Sequence, residues 1–138
     1  AGVHKIREIH GLNVGLWIAQ VLLIGVFGMT GVMKTFTPIA ELAQSIAWAG
    51  DVPAMMVRFI GICEIAGVLG LILPPVYKAL PGYLTPAAAI GLMLVMVSAM
   101  GFHAVREEMG ALPLNLVLGS MAAFLAWGRF TKYPFHPE

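Results

Sequence analysis

One acidic residue, Glu64, lies near the middle of the apolar stretch Ala54–Leu73. An ionisable carboxyl at membrane depth is costly, and it persists when it faces a protein interior or water and has a polar partner. Such a carboxyl can exchange protons or bind the polar head of a ligand. Glu64 and the side chains that meet it are therefore the first candidates for a functional site.

Basic side chains on neighbouring stretches could reach Glu64. Helical side chains lean toward the N-terminus of their helix, which brings Lys34 and His103 back into the membrane. Arg58 precedes Glu64 by about 9 Å along the same helix, so these two do not form an i,i+4 pair. We therefore expect Glu64 to meet Lys34 or His103 across helices. Three polar residues could add hydrogen bonds: Asn115, Ser98 and Thr30.

Two interpretations of this polar cluster remain open. In the functional one, the cluster handles protons or binds a lipophilic ligand, such as a quinone through its carbonyl group. In the structural one, it is a buried polar clasp that fixes helix register without adding much stability. The candidate site residues are Glu64, Lys34, His103, Arg58 and Asn115.

Metal, haem and dithiol chemistry are not indicated. His103 and Glu107 are spaced i,i+4, but a metal usually needs three or four protein ligands, and the other histidines belong to the opposite side. The same separation disfavours a haem held by two histidines. Cys63 is the only cysteine, so no internal disulfide can form, and we expect it to be a packing residue. No cofactor motif is present; a bound quinone or lipid is the expected ligand.

The composition indicates a membrane protein. The 138 residues are 59% hydrophobic and only 11% charged, which is rare in a soluble domain of this length. A span needs about 20 residues, and the short connections favour antiparallel neighbours. We therefore expect an all-α fold, a single membrane domain over residues 1–138 that forms a four-helix bundle. The predicted spans are Leu12–Met33, Ala54–Leu73, Leu84–Val105 and Ala111–Gly128.

The connections carry their own signals. Thr37 is placed to cap a short amphipathic helix with Pro38 in its first turn, lying at the membrane surface between spans 1 and 2. This helix could be an ordinary connector or a lid over a pocket. Pro74 and Pro75 are expected to end the second span.

Glycines predict the packing faces, because they let helix backbones approach closely in lipid. Two series recur at every third residue, and Glu64 fills the gap in the second, which should point it into the bundle. The series are Gly25, Gly28 and Gly31, and Gly61, Gly67 and Gly70.

Charge sets the expected orientation. The positive-inside rule favours both termini in the cytoplasm. Net charge is +1, so no nucleic-acid partner is expected. Membrane lipid and other membrane subunits, or further copies of the chain, are the expected partners. The basic residues on the terminal side are Lys5, Arg7, Lys78, Arg129 and Lys132.

Several pieces, taken in order, resemble the DoxX-like family of small four-span bacterial membrane proteins. They are Gly28–Lys34, Arg58–Leu71, Leu84–Ala89, Ala99–His103 and Ala126–Phe130. The resemblance implies a four-helix protein of the bacterial inner membrane. Relatives are named for a subunit of a thiosulfate–quinone oxidoreductase, others are linked to redox stress, and an animal relative is a receptor-assembly chaperone.

The leading hypothesis is a small membrane subunit of a redox-linked, quinone-associated complex, whose Glu64 cluster binds a lipophilic ligand or handles protons. Its rival is a non-catalytic assembly or chaperone subunit in which the same cluster is structural. A transporter or channel is disfavoured, because no continuous line of polar residues crosses the four spans. Whether the chain is an enzyme stays open at this stage.

Overall fold

A computed structural model describes residues 2–136, apart from the side chains of residues 2–9. All regular elements in that range are helical, as the sequence predicts. Two 3-10 turns, at Ala47–Gly50 and Met109–Ala111, complete the order. The α-helices are α1 (Gly2–Phe36), α2 (Ile39–Ser45), α3 (Ala54–Val76), α4 (Leu84–Val105) and α5 (Leu112–Thr131).

The four long helices form a ring in which α1 and α4 each pack against α3 and α5. Because the connections are short, successive long helices run antiparallel. We call the end where α1 begins and α5 ends the terminal end, and the opposite end, where α2 lies, the α2 end. The segments long and apolar enough to cross a membrane are His10–Phe36, Ala54–Val76, Leu84–Val105 and Met109–Thr131.

Apolar side chains occupy both the centre and the outside of the bundle. Leu16, Leu23 and Phe27 of α1 meet Leu71 and Leu92 in a core that is closed to solvent. Many large apolar residues of the same helices point outward and are exposed. In water this outer surface would be unfavourable, whereas lipid accommodates it.

The second glycine series holds α3 against both of its neighbours. A Cβ at Gly61 would lie 2.5 Å from Thr35 Oγ1 and 2.9 Å from the backbone oxygen of Gly31. A Cβ at Gly70 would lie 2.5 Å from that of Ala88 on α4. These positions therefore admit only glycine without a shift of the backbone.

The first glycine series behaves differently from its prediction. Gly31 packs closely on Glu64 and Gly61, but a Cβ at Gly25 or Gly28 would meet nothing within 4 Å. The expectation of a continuous packing face is thus wrong for these two positions. These two positions face open space, and Gly31 is the member of the series that packs against α3.

Two prolines lie inside α3 rather than after it. We expected Pro74 and Pro75 to end the span at Leu73, but the helix continues to Val76. A proline has no N–H, so the carbonyl group four residues earlier loses its helical donor. Side chains of other helices replace these donors, so the freed carbonyl groups do not remain unpaired in the apolar interior.

The replacement donors come from neighbouring helices. Thr85 Oγ1 donates to the Gly70 carbonyl at 2.9 Å, and Gln20 Nε2 donates to the Leu71 carbonyl at 2.8 Å. Gly70 and Leu71 are the residues four positions before Pro74 and Pro75. Each bond thus repairs the backbone of α3 and ties it to α4 or α1.

The short surface helix is present, although its start differs from the prediction. α2 begins at Ile39, Pro38 immediately precedes it, and no side chain caps it, so the proposed capping role of Thr37 is wrong. The backbone oxygen of Thr37 instead accepts a hydrogen bond from Arg58. Leu42 anchors α2 in a small core with Ala49 and Val57.

We expect Gly61→Ala to lower the free energy of unfolding by about 1–3 kcal/mol, because the new methyl group would press on the backbone of α1. Gly28→Ala is the matched control and should change stability by less than about 0.5 kcal/mol. Reversible unfolding in mixed detergent micelles measures both. Equal stability of the two variants would contradict the assigned α1–α3 contact.

Candidate functional site

Glu64 is the buried centre of the polar cluster. It is 1% exposed, and Lys34 Nζ lies 2.9 Å from its Oε1 atom. Thr30 Oγ1 donates to the other carboxyl oxygen at 3.3 Å. The absence of a side chain on Gly31 gives the base of the Glu64 side chain room against α1, since a Cβ there would lie 3.1 Å from the Cβ of Glu64. The expectations that Glu64 points into the bundle and meets Lys34 are confirmed.

Arg58 does not contact Glu64, but it controls the position of Lys34. Its Nη1 atom donates to the carbonyl oxygens of Lys34 at 2.9 Å and Thr37 at 2.6 Å. The Lys34 carbonyl needs this donor because the residue four positions later is Pro38. A cation at the C-terminus of α1 is also favoured by the helix dipole. Arg58 therefore caps α1 and fixes the residue that pairs with Glu64.

His103, the alternative partner that we considered for Glu64, pairs with a different acid. Its Nδ1 atom lies 3.1 Å from Glu108 Oε1. Glu107 occupies the turn after α4 with a left-handed φ of 60°, which places the next residue against the histidine. No group of three potential metal ligands occurs among the described side chains, which belong to residues 10–136.

Charged residues of two loops meet beside His103. Arg106 bonds Glu108 at 2.8 Å and Asp51, from the loop before α3, at 2.6 Å. The hydrogen bond from Arg106, and then that from His103, holds the pKa of the Glu108 carboxyl below its usual value. Glu108 therefore stays ionised near neutral pH and accepts the Nδ1–H of His103.

Asn115 and Ser98 are not hydrogen-bonded to the carboxyl of Glu64. Asn115 is buried on α5, and its Nδ2 atom has no hydrogen-bond partner among the described residues. Ser98 lies in the wall of a cavity between α3 and α4. The structure thus joins only Lys34 and Thr30 to the carboxyl, and leaves Asn115 as a polar group elsewhere in the bundle.

The cavity beside the ion pair, which we call the head pocket, has a volume of about 320 Å³. Lys34 and His103 are its basic residues, and Trp48, from the turn after α2, also lines it. The Lys34 ammonium lies 5.5 Å from the centre of the Trp48 ring, and Phe102 touches the same ring edge-on. The remaining wall consists of Met56, Phe59, Ile60, Cys63, Leu94, Val95, Met96, Ser98, Ala99 and Phe102.

A second polar cluster lies at the terminal end, and the sequence reasoning missed its centre. Arg129 is 2% exposed, although its charge was assigned to the membrane surface. Its guanidinium donates to Gln20 at 3.1 Å and Asn13 at 3.0 Å, and it lies 4.9 Å from the ring centre of Trp17 and 4.4 Å from that of Phe135. The sequence signal that could have predicted this cluster is a basic residue in the last turn of the fourth span, Arg129, together with the amides Asn13 and Gln20 on the first span.

The two amides of α1 form hydrogen bonds between helices. The side-chain oxygens of Asn13 and Gln20 both accept hydrogen bonds from Arg129 of α5. Gln20 also donates to the Leu71 carbonyl that Pro75 leaves free. The terminal cluster therefore links α1, α3 and α5, although the buried Arg129 Nη2 atom has no hydrogen-bond partner among the described residues.

The four apolar helices and their polar interior define a multi-pass membrane protein with a helical-bundle fold. The sequence profile of the DoxX-like family matches residues 18–125, which is more than three quarters of the chain. The protein belongs to this family. The matched region includes Lys34, Arg58, Glu64 and His103. Comparisons with the curated proteins and with the solved structures returned no match.

The ion pair should be sensitive to the loss of one partner. We expect Glu64→Gln to lower the free energy of unfolding by about 3 kcal/mol, because Lys34 keeps a buried charge without its counter-ion. Glu64→Leu combined with Lys34→Met should recover most of that loss, since no buried charge remains. Detergent unfolding measures both, with the exposed Glu41→Gln as the control. If Glu64→Gln were as stable as wild type, the ion pair would have no structural role.

Proposed function

We propose that the protein is a small membrane subunit that binds a lipophilic quinone in the head pocket, within a redox-linked complex. The observation that carries the proposal is that Lys34 and His103 line one apolar, aromatic-walled cavity. A few polar groups in a mostly apolar concave site are typical of small-molecule sites. The aromatic rings of Trp48 and Phe102 offer a flat surface for the quinone ring.

Lys34 supplies the first hydrogen bond in this proposal. Its ammonium has three N–H donors, and Glu64 accepts one of them, so donors remain for a ligand oxygen. Glu64 also balances the lysine charge. A neutral carbonyl group therefore fits the pocket better than a phosphate anion, which would need an uncompensated positive charge.

His103 supplies a proton route. With Nδ1–H bonded to Glu108, its Nε2 atom accepts a proton from a hydroquinone hydroxyl, and the imidazolium can donate to a quinone oxygen. Glu108 is partly exposed at the α2 end, so it connects the ring with water. Electrons for quinone chemistry come, in this proposal, from a partner protein, and whether this chain is itself an enzyme depends on that partner.

A second candidate function rests on a specific observation about Glu64. Both of its oxygens are bonded within the bundle, and it does not line the head pocket. A non-catalytic assembly or chaperone subunit, in which the Glu64–Lys34 pair is only a clasp, would need no more than this. The two candidates differ in whether Lys34 has a ligand.

Quinone binding tests the difference. A decyl-substituted benzoquinone added to the protein in nanodiscs should quench the fluorescence of Trp48, and the quenching should be lost in Trp48→Phe. The variant Glu64→Leu with Lys34→Met should bind at least about tenfold more weakly, because a hydrogen bond to a charged donor contributes about 1.5–3 kcal/mol.

His10→Gln is the matched control, since His10 is exposed at the terminal end and should leave the affinity unchanged. His103→Gln should weaken binding, because the ligand oxygen loses its hydrogen-bond partner at Nε2. Wild-type affinity in the Glu64, Lys34 double variant would reject quinone binding through Lys34 and favour the assembly role.

For location, we propose a bacterial inner membrane with both termini in the cytoplasm, supported by the distribution of basic residues. In a Cys63→Ser background, Glu107→Cys should react with a membrane-impermeant maleimide in intact cells. Lys132→Cys should react only after lysis. The reverse pattern would invert the proposed orientation and place His103 and Glu108 at the cytoplasmic side.

A further inference from the structure

A second, larger cavity lies between the same two helices. It has a volume of about 670 Å³ and runs along α3 and α4 toward the terminal end. Its wall is made of apolar and small residues, and we call it the tail groove. The residues that line it are Cys63, Ala66, Gly67, Leu69, Gly70, Leu73, Pro74, Leu80, Leu84, Ala87, Ala88, Gly91, Leu92 and Val95.

The tail groove adjoins the head pocket. Cys63 of α3 and Val95 of α4 belong to the walls of both cavities. On α4 the combined lining extends from Leu84 to His103, which corresponds to about 28 Å of helix rise. That length is close to the hydrocarbon thickness of a bilayer, about 30 Å.

The polarity of the combined cavity is one-sided. Lys34 and His103 lie at the α2 end, and no charged side chain lines the tail groove. Small residues leave the groove open: Ala66 and Ala87 have short side chains, and a Cβ at Gly91 would meet nothing within 4 Å. A ligand that matches this shape has a polar head and a long apolar chain.

We propose that the tail groove binds the apolar chain of the quinone whose head occupies the head pocket, so that the protein selects long-chain quinones. This inference rests on the proposed function and goes beyond it by assigning a second part of the binding site. The occupant is the chain of the head-pocket ligand rather than a bilayer lipid, because the two cavities share Cys63 and Val95 in their walls.

The experiment compares two benzoquinones with the same head, one carrying a decyl chain and the other a methyl group. Gly91→Leu places a side chain in the groove, and Gly101→Leu, on the same helix but outside both cavities, is the control. Both variants are measured in identical nanodiscs, so partitioning of the probes into lipid cancels between them. Trp48 quenching gives the affinities.

We expect Gly91→Leu to weaken the decyl probe about tenfold and to leave the methyl probe unchanged, because the leucine displaces the chain but not the head. Gly101→Leu should change neither. Ala66→Leu, which fills the groove from the α3 side, should reproduce the effect and provides a second variant should Gly91→Leu fail to fold.

Three results would overturn the inference. Unchanged decyl binding in both groove variants would show that the chain lies elsewhere and that a bilayer lipid fills the groove. Equal weakening of the two probes would show a general disturbance of the site. A methyl probe that fails to bind wild type, or that ignores the Glu64, Lys34 double variant, would reject the proposed function as well.

Discussion

Backbone carbonyl groups that lose their helical donor cannot remain bare in hydrocarbon, and this constraint organises the protein. Pro38, Pro74 and Pro75 each deprive a carbonyl four residues earlier. Three side chains from other helices supply the missing donors: Arg58, Thr85 and Gln20. Because each donor crosses to a neighbouring helix, the bonds that complete the backbone are also the bonds that set the register of the bundle. The same three sets of hydrogen bonds therefore satisfy the freed carbonyl groups and hold the helices of the bundle together.

The candidate site depends on one of these repairs. Arg58 donates to the carbonyl oxygen of Lys34 in the last turn of α1. This contact fixes the backbone of Lys34, whose ammonium lies opposite Glu64. Gly31 leaves space there for the Glu64 side chain. At the terminal end, the side-chain oxygen of Gln20 accepts a hydrogen bond from Arg129, and its side-chain nitrogen donates to the Leu71 carbonyl of α3. The polar groups of the terminal end thus bond mainly to one another, whereas at the α2 end Lys34 and His103 both line a cavity.

Sequence reasoning reached the fold, and it narrowed the partner of Glu64 to Lys34 or His103. Both results follow from local rules, namely hydropathy, helix rise and the lean of helical side chains. It failed where partners are distant or depend on backbone turns. The donors that let α3 pass Pro74 lie on other helices, and the turn at Glu107 decides which acid meets His103. Arg129 was missed because the positive-inside rule locates a charge by side and is silent on burial.

The structural and the functional interpretation of the Glu64–Lys34 pair are compatible, because its two residues can have different roles. Glu64 does not line the head pocket, so its contribution is to orient the Lys34 ammonium through their 2.9 Å contact and to balance its charge. Lys34 faces the pocket and keeps unused donors. A buried lysine without a carboxylate would lose its proton or bind any anion, whereas a paired lysine is a directional donor with no net charge. Neutral, oxygen-bearing ligands gain most from such a donor, and this is the physical reason for proposing a quinone carbonyl rather than a charged lipid head.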